Sequence, residues 1–168
     1  MSPRLKLSPV ALSAAEPGAG NMLALDKQFC FALYSASHAV TKTYKPMLDQ
    51  LGLTYPQYLV MLVLWEQDAI LVKDIGARLF LDSGTLTPLL KRLESNGLVE
   101  RNRDPHDERQ VRISLSPAGR ELRKQALAIP QQMLCTTGKD APALGELRKT
   151  LTSVRDNMFD LLDEDKEQ

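Results

Sequence analysis

The chain has 168 residues and a formal net charge of zero, with 43% hydrophobic and 25% charged residues. This composition is typical of a globular domain, and no apolar run reaches the roughly 18 residues that a membrane-spanning helix needs. The charge is uneven, because residues 156–168 hold six acids and one base and leave 20 basic against 15 acidic residues elsewhere. The sequence therefore leaves room for a basic face on the folded body.

The N-terminal residues are rich in proline and small side chains. We expect residues 1–22 to form a disordered tail and residues 23–168 to form the folded domain. The apolar stretch at residues 10–15 is too short and weak for a signal peptide, so a cytoplasmic location is expected. In that compartment the two cysteines, Cys30 and Cys135, are predicted to be reduced thiols rather than a permanent disulfide.

Apolar residues recur at helical spacing in the first half of the folded domain. One helix is predicted from residue 25 to about 51, and Thr54 is expected to cap a second helix with Pro56 just inside it. That second helix is apolar on all sides, which predicts full burial. The elements that follow are predicted as a strand at 70–72, a short helix at 73–80, a tight turn at 81–84 with Asp82 or Ser83 as cap, and a helix at 84–96.

Alternating apolar and polar residues at 98–103 and 110–115 predict the two strands of a β-hairpin with a polar tip. Ser116 is expected to cap a helix that runs without a break to about Cys135. A last helix, from residue 142 to about 162, carries one regular apolar face. That face needs a partner, which is either a second subunit or the rest of its own domain.

The order of helix, tight turn, helix and charged hairpin predicts a winged helix-turn-helix, a mainly α fold with a small β-hairpin wing. The helix at 84–96 carries short hydroxyl groups at its positive N-terminal end and two cations further along, a pattern that suits base edges and phosphates of double-stranded DNA. These residues are Ser83, Thr85, Thr87, Lys91 and Arg92.

The predicted hairpin is rich in arginine: Arg101, Arg103, Arg109 and Arg112. An arginine at a hairpin tip can enter a narrow minor groove, and Asp107, two residues before Arg109, can hold that guanidinium in place. Taken singly, the hydroxyl groups also fit helix caps and the arginines fit solvated surface positions. Their order along the chain favours DNA binding.

Cys30 lies near the predicted start of the first helix, between Phe29 and Phe31. A thiolate is the form that attacks a peroxide oxygen, and the positive end of a helix favours it. Phenol hydroxyls such as those of Tyr44 and Tyr55 can add hydrogen bonds to a thiolate. From the residues alone, the cysteine equally fits a small buried hydrophobe, and the tyrosines fit core or interface positions. The histidines and cysteines have no metal-binding spacing, so neither metal nor cofactor is expected.

Two segments, 81–98 and 103–115, resemble the MarR family of transcriptional regulators, and Asp107-x-Arg109 in the wing is a specific mark of that resemblance. The resemblance covers about residue 25 to the C-terminus. It implies a homodimer on a pseudo-palindromic operator, with no membrane contact. It also implies a DNA-binding lobe at about 54–116 and dimerisation helices at about 25–51 and 117–163.

Segments 29–37 and 53–66 resemble, more narrowly, the organic hydroperoxide resistance regulators of that family. This resemblance implies that Cys30 reacts with an organic hydroperoxide and that Tyr44 and Tyr55 of the partner subunit hydrogen-bond to it. It further implies a two-cysteine subtype, in which Cys135 resolves the oxidised product across the dimer.

The expected function is therefore a repressor that releases DNA when Cys30 is oxidised. Because Cys135 is expected to end the helix that follows the wing, a disulfide should shift the wing together with the predicted recognition helix at 84–96. One alternative is a related regulator of a phenolic or other small ligand, with Cys30 incidental. The other is a thiol peroxidase, in which the charged wing has no use, and an enzyme is not expected.

Overall fold

The computed structural model describes residues 22–164, with side chains to residue 162. The expectations for the N-terminal tail, apart from residue 22, and for the end of the acidic segment lie outside the described residues. After a short 3-10 turn at Leu25–Lys27, the elements are α1 (Phe29–Asp49), α2 (Tyr55–Glu66), β1 (Ile70–Leu71), α3 (Val72–Leu79), α4 (Ser83–Ser95), β2 (Val99–Arg103), β3 (Val111–Leu115), α5 (Pro117–Ala126), α6 (Ile129–Thr136) and α7 (Ala141–Glu164). The mainly α fold with a small sheet is confirmed.

Two compact units are present. The first combines the described residues up to Tyr34 with those from Leu134 onward, and the second is Ser35–Met133. The second unit holds the described hydrophobic core, which gathers side chains from the end of α1 through the start of α6. The predicted boundary of the DNA-binding lobe near residue 54 stays a prediction.

Helix α2 is the centre of this core. It begins as predicted after Thr54, whose backbone N–H donates to the Gln57 side chain at 2.8 Å. Its apolar composition gives burial on most sides, and Val60 and Met61 are completely buried. The prediction of full burial is wrong at Leu62, which is 40% exposed.

The turn between α3 and α4 is tight, as predicted. Helix α3 ends at Leu79, and the next residue, Phe80, has a left-handed backbone (φ 55°) that reverses the chain. A Cβ on Gly76 would lie 2.8 Å from the Leu81 carbonyl oxygen, so this approach requires glycine. Of the two predicted caps for α4, Asp82 is the one that acts, because its carboxylate accepts a hydrogen bond from the Thr85 backbone N–H at 2.9 Å.

The predicted hairpin is present, with Val99 opposite Leu115 and Arg103 opposite Val111. Strand β1 adds to it by pairing Ile70 with Ile113, which gives the antiparallel order β1-β3-β2. The sequence predicted the short strand but not its pairing. Because β3 is central, the segment before α3 is hydrogen-bonded directly to the wing.

The prediction of one unbroken helix from residue 117 to 135 is wrong. Helix α5 ends at Ala126 and α6 begins at Ile129. The reason is Pro130, because a proline ring inside a helix clashes with the carbonyl four residues earlier, here that of Ala126. Cys135 therefore lies on a separate short helix, and no continuous helix leads from the wing to this thiol.

In the first unit, α7 carries the predicted apolar face, and much of it is exposed: Leu147 is 52%, Met158 56% and Leu161 65% exposed. Near Cys30, Phe29 is 51% exposed. Among the described helices, none combines the length and apolar character needed to cross a membrane.

Candidate nucleic-acid interface and thiol site

The base of the wing is organised by Asp104, a residue that the sequence analysis did not single out. Its buried carboxylate accepts hydrogen bonds from the backbone N–H groups of His106 at 2.9 Å and Asp107 at 3.2 Å, and from the Arg112 guanidinium at 3.0 Å. These bonds, that of His106 first, hold the pKa of Asp104 below its ordinary value. An Asp directly before Pro105 at the start of a loop was the available signal, since Asp favours such turns.

The wing tip is shaped by Asp107, as predicted. Its carboxylate accepts hydrogen bonds from Gln110 Nε2 at 3.0 Å, from the Arg109 backbone N–H at 3.1 Å and from Arg109 Nε at 3.3 Å. These bonds, led by that from Gln110, lower the pKa of Asp107. The Arg109 side chain is 92% exposed. A charged, restrained and accessible guanidinium therefore stands at the tip.

Arg112 has a different place from the other wing arginines. Its guanidinium is bonded to Asp104 and to the carbonyl oxygen of Ala69, in the turn before β1. In that turn Asp68 accepts from the backbone N–H of Leu115 at 2.8 Å and pairs with Arg120 of α5. Arg112 thus holds the wing to its own domain, and the sequence offered no signal that separates it from its neighbours.

Helix α4 presents the five predicted residues on or near its exposed side. The hydroxyl groups of Thr85 and Thr87 donate locally, to Asp82 at 3.0 Å and to the Ser83 carbonyl at 2.7 Å. Their lone pairs remain able to accept from base amino groups. Ser83, Lys91 and Arg92 are exposed. The hydrogen bonds from Thr85 also lower the pKa of Asp82, which keeps the cap charged.

A groove of about 300 Å³ brings part of this set together, between α3, the start of α4 and the wing. Three predicted residues, Ser83, Thr87 and Arg109, line it. Lys73, at the start of α3, and Arg101, on β2, line it as well. Sequence reasoning missed Lys73, since a single lysine in a short amphipathic helix gives no signal of its own.

The two predicted tyrosines lie together in the second unit. The ring centroids of Tyr44 and Tyr55 are 4.9 Å apart, and Tyr44 also lies 5.8 Å from Tyr58. Burial raises the pKa of both Tyr44 and Tyr55, and the neighbouring Tyr55 adds to the effect on Tyr44. Burial and these neighbours raise the pKa of Tyr58 to about 12. The phenols therefore stay protonated, and can donate hydrogen bonds, throughout the neutral range.

Both cysteines are exposed free thiols in the first unit. Cys30 is the second residue of α1, so it lies in the first turn as predicted, and Cys135 is next to the last residue of α6. Cys30 is accessible in the single chain, so it is not part of the described hydrophobic core, and its role stays a prediction.

Comparison with known proteins gives the family. The profile described as transcriptional regulator SarA/Rot matches residues 42–126, which is half of the chain. The HTH-type transcriptional regulator TtmR of Methylorubrum extorquens is 49% identical over 144 residues, covering 86% of this chain and 74% of that protein. The chain belongs to the SarA/Rot family of transcriptional regulators.

Within this family of winged-helix regulators, two further similarities bear on the site. The organic hydroperoxide resistance transcriptional regulator of Bacillus subtilis is 46% identical over 134 residues, covering 80% of this chain and 91% of that protein. The structure of reduced AbfR bound to DNA has a TM-score of 0.73 at 33% identity, covering 86% of this chain and 99% of that one. AbfR has also been solved in a disulfide form. The predicted MarR-type resemblance is confirmed, whereas the two-cysteine subtype stays a prediction.

Proposed function

We propose that this SarA/Rot-family regulator is a homodimeric repressor that binds a pseudo-palindromic DNA operator and releases it when an organic hydroperoxide oxidises Cys30. The observation that carries the proposal is the exposed thiol in the first turn of α1, in a chain 46% identical to an organic hydroperoxide resistance regulator. Helix α4 and the wing are the proposed reading elements, because they carry accessible hydroxyl and guanidinium groups on one face of the second unit.

The proposed chemistry needs only the thiol and the inducer. The Cys30 thiol loses its proton, the thiolate attacks one peroxide oxygen, the O–O bond breaks, and the leaving alkoxide takes up a proton to become the alcohol. The product is a sulfenic acid on Cys30. The thiol of Cys135 from the partner subunit then displaces that hydroxyl, which gives an intersubunit disulfide and water.

Tyr44 and Tyr55 of the partner subunit are proposed to stabilise the Cys30 thiolate. The support is their pairing at 4.9 Å and their raised pKa values, which keep both phenols as hydrogen-bond donors near neutral pH. A donated hydrogen bond favours the charged form of a thiol.

A dimer is supported by the exposed apolar residues of the first unit, such as Phe29 on α1 and Leu147, Met158 and Leu161 on α7. Exposed apolar patches of this kind mark interfaces in soluble proteins. A two-fold dimer places two recognition helices on half-sites about one helical turn apart, roughly 10 bp. Oxidation then acts by shifting the population between a DNA-binding and a released arrangement of the dimer.

The first test compares wild type, Cys30→Ser and Cys135→Ser by fluorescence anisotropy on a duplex selected from a random pool by the reduced protein. Cumene hydroperoxide should release wild type and leave Cys30→Ser bound. Release of Cys30→Ser by the same dose would eliminate the thiol mechanism. Failure of the reduced wild type to enrich any duplex would eliminate DNA binding itself.

The second test concerns Cys135. After oxidation, non-reducing electrophoresis should show a covalent dimer in wild type and none in Cys135→Ser. A covalent dimer in Cys135→Ser would mean that the bridge joins Cys30 to Cys30, contrary to the proposed resolving role. Mass spectrometry of the two cysteine peptides identifies the linkage directly.

A second candidate function, control by a small ligand, is favoured by one observation. An apolar groove of about 410 Å³ lies between α2 and the α5–α6 segment, lined by Leu62, Trp65 and Leu127 with Arg123 and Glu66 at its polar side. Grooves of this size and lining suit small aromatic molecules. If this candidate holds, a phenolic compound will release Cys30→Ser and wild type equally, whereas hydroperoxide will release neither.

A further inference from the structure

The groove between α3, α4 and the wing is lined by both apolar and positively charged side chains. Leu71, Val72 and Val111 are its apolar lining residues, and Lys73, Arg101 and Arg109 contribute the cations. The three cations come from three different parts of the fold, namely the start of α3, strand β2 and the wing loop. Such a convergence of positive side chains attracts an anion.

Arg101 is the most buried of the three cations that line the groove. Its side chain is only 23% exposed, and its one acidic neighbour, Glu94, is 3.8 Å away, which is too long for a hydrogen bond. Its Nε atom is buried and has no hydrogen-bond partner among the described residues. An unsatisfied buried donor is costly, and a charged guanidinium fork is shaped for two oxygens of a phosphate. That buried Nε is out of reach of a ligand in the groove, but the Arg101 side chain lines the groove with its exposed part, which places a cation beside any anion that enters.

The acids near the groove do not cancel its charge. Asp107 lies 3.3 Å from Arg109 but already accepts hydrogen bonds from Gln110 and the loop backbone. Glu94 lies 3.8 Å from Arg101 but is not among the lining residues. The hydroxyl of Ser83, at the N-terminal end of the 13-residue helix α4, adds a neutral donor to the same groove.

We infer that this groove binds one phosphate of the DNA backbone, with Arg101 as the positioning residue and Lys73 as its second cation. The inference rests on the proposed DNA-binding function and extends it to residues outside the recognition helix and the wing tip. A phosphate held here would join α3, α4 and β2 through one ligand, so that the wing and the recognition helix are set in a single position on the duplex. Phosphate contacts fix register in this way without reading sequence.

The experiment measures duplex affinity against salt concentration for the full reduced chain, using a mixed-sequence duplex and fluorescence anisotropy. Loss of one phosphate contact lowers the slope of log K against log salt by about 0.9. We expect this reduction in Arg101→Gln and in Lys73→Gln, with an affinity loss of about tenfold at low salt. Arg101→Lys should keep the slope but bind less tightly, because the fork is lost while the charge remains. Lys124→Gln, on the exposed side of α5, is the matched control and should leave both quantities unchanged.

The outcomes separate the two claims. If wild type binds the duplex and both Arg101→Gln and Lys73→Gln keep the wild-type slope, the phosphate site is wrong and the DNA-binding function stands. If wild type binds no duplex, the proposed function fails first.

Titration calorimetry with inorganic phosphate is a second experiment on the same variants. Saturable binding of free phosphate that disappears in Arg101→Gln, with no change in the salt slope, would assign the groove to a small phosphorylated ligand and overturn the DNA assignment. Because Lys73 is exposed, its variant tests the site even if Arg101→Gln folds poorly.

Discussion

Replacing Gly119 with alanine should disrupt the packing of α5 against the turn between α4 and β2. A Cβ at this position would lie 2.1 Å from the Leu98 carbonyl oxygen, where real Cβ contacts are at least 3.0 Å. The backbones must therefore separate by at least 0.9 Å, the difference between these distances. The Leu98 oxygen cannot yield freely, because it accepts a hydrogen bond from the Ser116 backbone N–H at 3.1 Å.

The expected cost follows from this displacement. Overpacking of a buried site costs about 1–3 kcal/mol, and loss of one hydrogen bond adds about 1 kcal/mol. The better helix propensity of alanine offsets about 1 kcal/mol of this cost. The net destabilisation of Gly119→Ala should thus be about 1–3 kcal/mol, which is roughly a 5- to 150-fold change in the folding equilibrium.

The assay uses the protein's own fluorophore. Trp65 is the sole tryptophan, and its indole N–H donates to the Gly119 carbonyl at 2.9 Å. Urea unfolding followed by tryptophan emission, at equal protomer concentration, gives the free energy of unfolding and reports on this contact. Gly145→Ala in α7 is the matched control, because an added Cβ there meets no heavy atom within 4 Å. If Gly119→Ala is as stable as Gly145→Ala and keeps the wild-type emission, the steric argument is wrong.

Three further outcomes are expected. Arg112→Ala should loosen the wing loop, because it removes the guanidinium that joins Asp104 to the Ala69 carbonyl. Limited proteolysis should then cut the loop faster than in wild type. An unchanged cleavage rate would contradict the contact. Leu90→Ala, at a site 1% exposed, should lower the free energy of unfolding by about 2–5 kcal/mol in urea, and a loss under about 1 kcal/mol would show that the core closes around the cavity. Folding lowers the pKa values of Asp104 and Asp107, so the stability that these carboxylates contribute is present above the unfolded pKa of about 4 and is lost as pH falls through the lower folded pKa. The free energy of unfolding should therefore fall less steeply with acid in Asp104→Asn than in wild type. Equal slopes would refute the assignment.

The sequence predicted most of the fold because its signals are local. Helical periodicity found α2 and α4, and the caps at Thr54 and Ser116 were placed correctly, since a cap depends on neighbouring residues. The sequence analysis did not predict the break between α5 and α6, although Pro130 indicates one. The pairing of β1 with β3 joins residues more than 40 positions apart, and a two-residue strand is too short for any pattern to specify its partner.

The site was predictable to a smaller extent. Asp107 beside Arg109 was predicted from spacing, because a carboxylate two residues away can reach the guanidinium. The different uses of Arg101, Arg109 and Arg112 were not predictable, since all three are hairpin arginines and only the folded sheet decides which one meets Asp104, a groove or solvent.

The strand order has a consequence for solubility. Strand β2 is an edge of the sheet, so one row of its backbone groups is unpaired by any described strand. Such an edge is a template on which another chain can add a strand, and charged side chains are a common defence. Three of the five residues of β2 are charged, namely Glu100, Arg101 and Arg103. Arg101, proposed to hold a DNA phosphate, thus also contributes to the charge that disfavours pairing at this edge, and a redesigned wing would have to keep charge on β2.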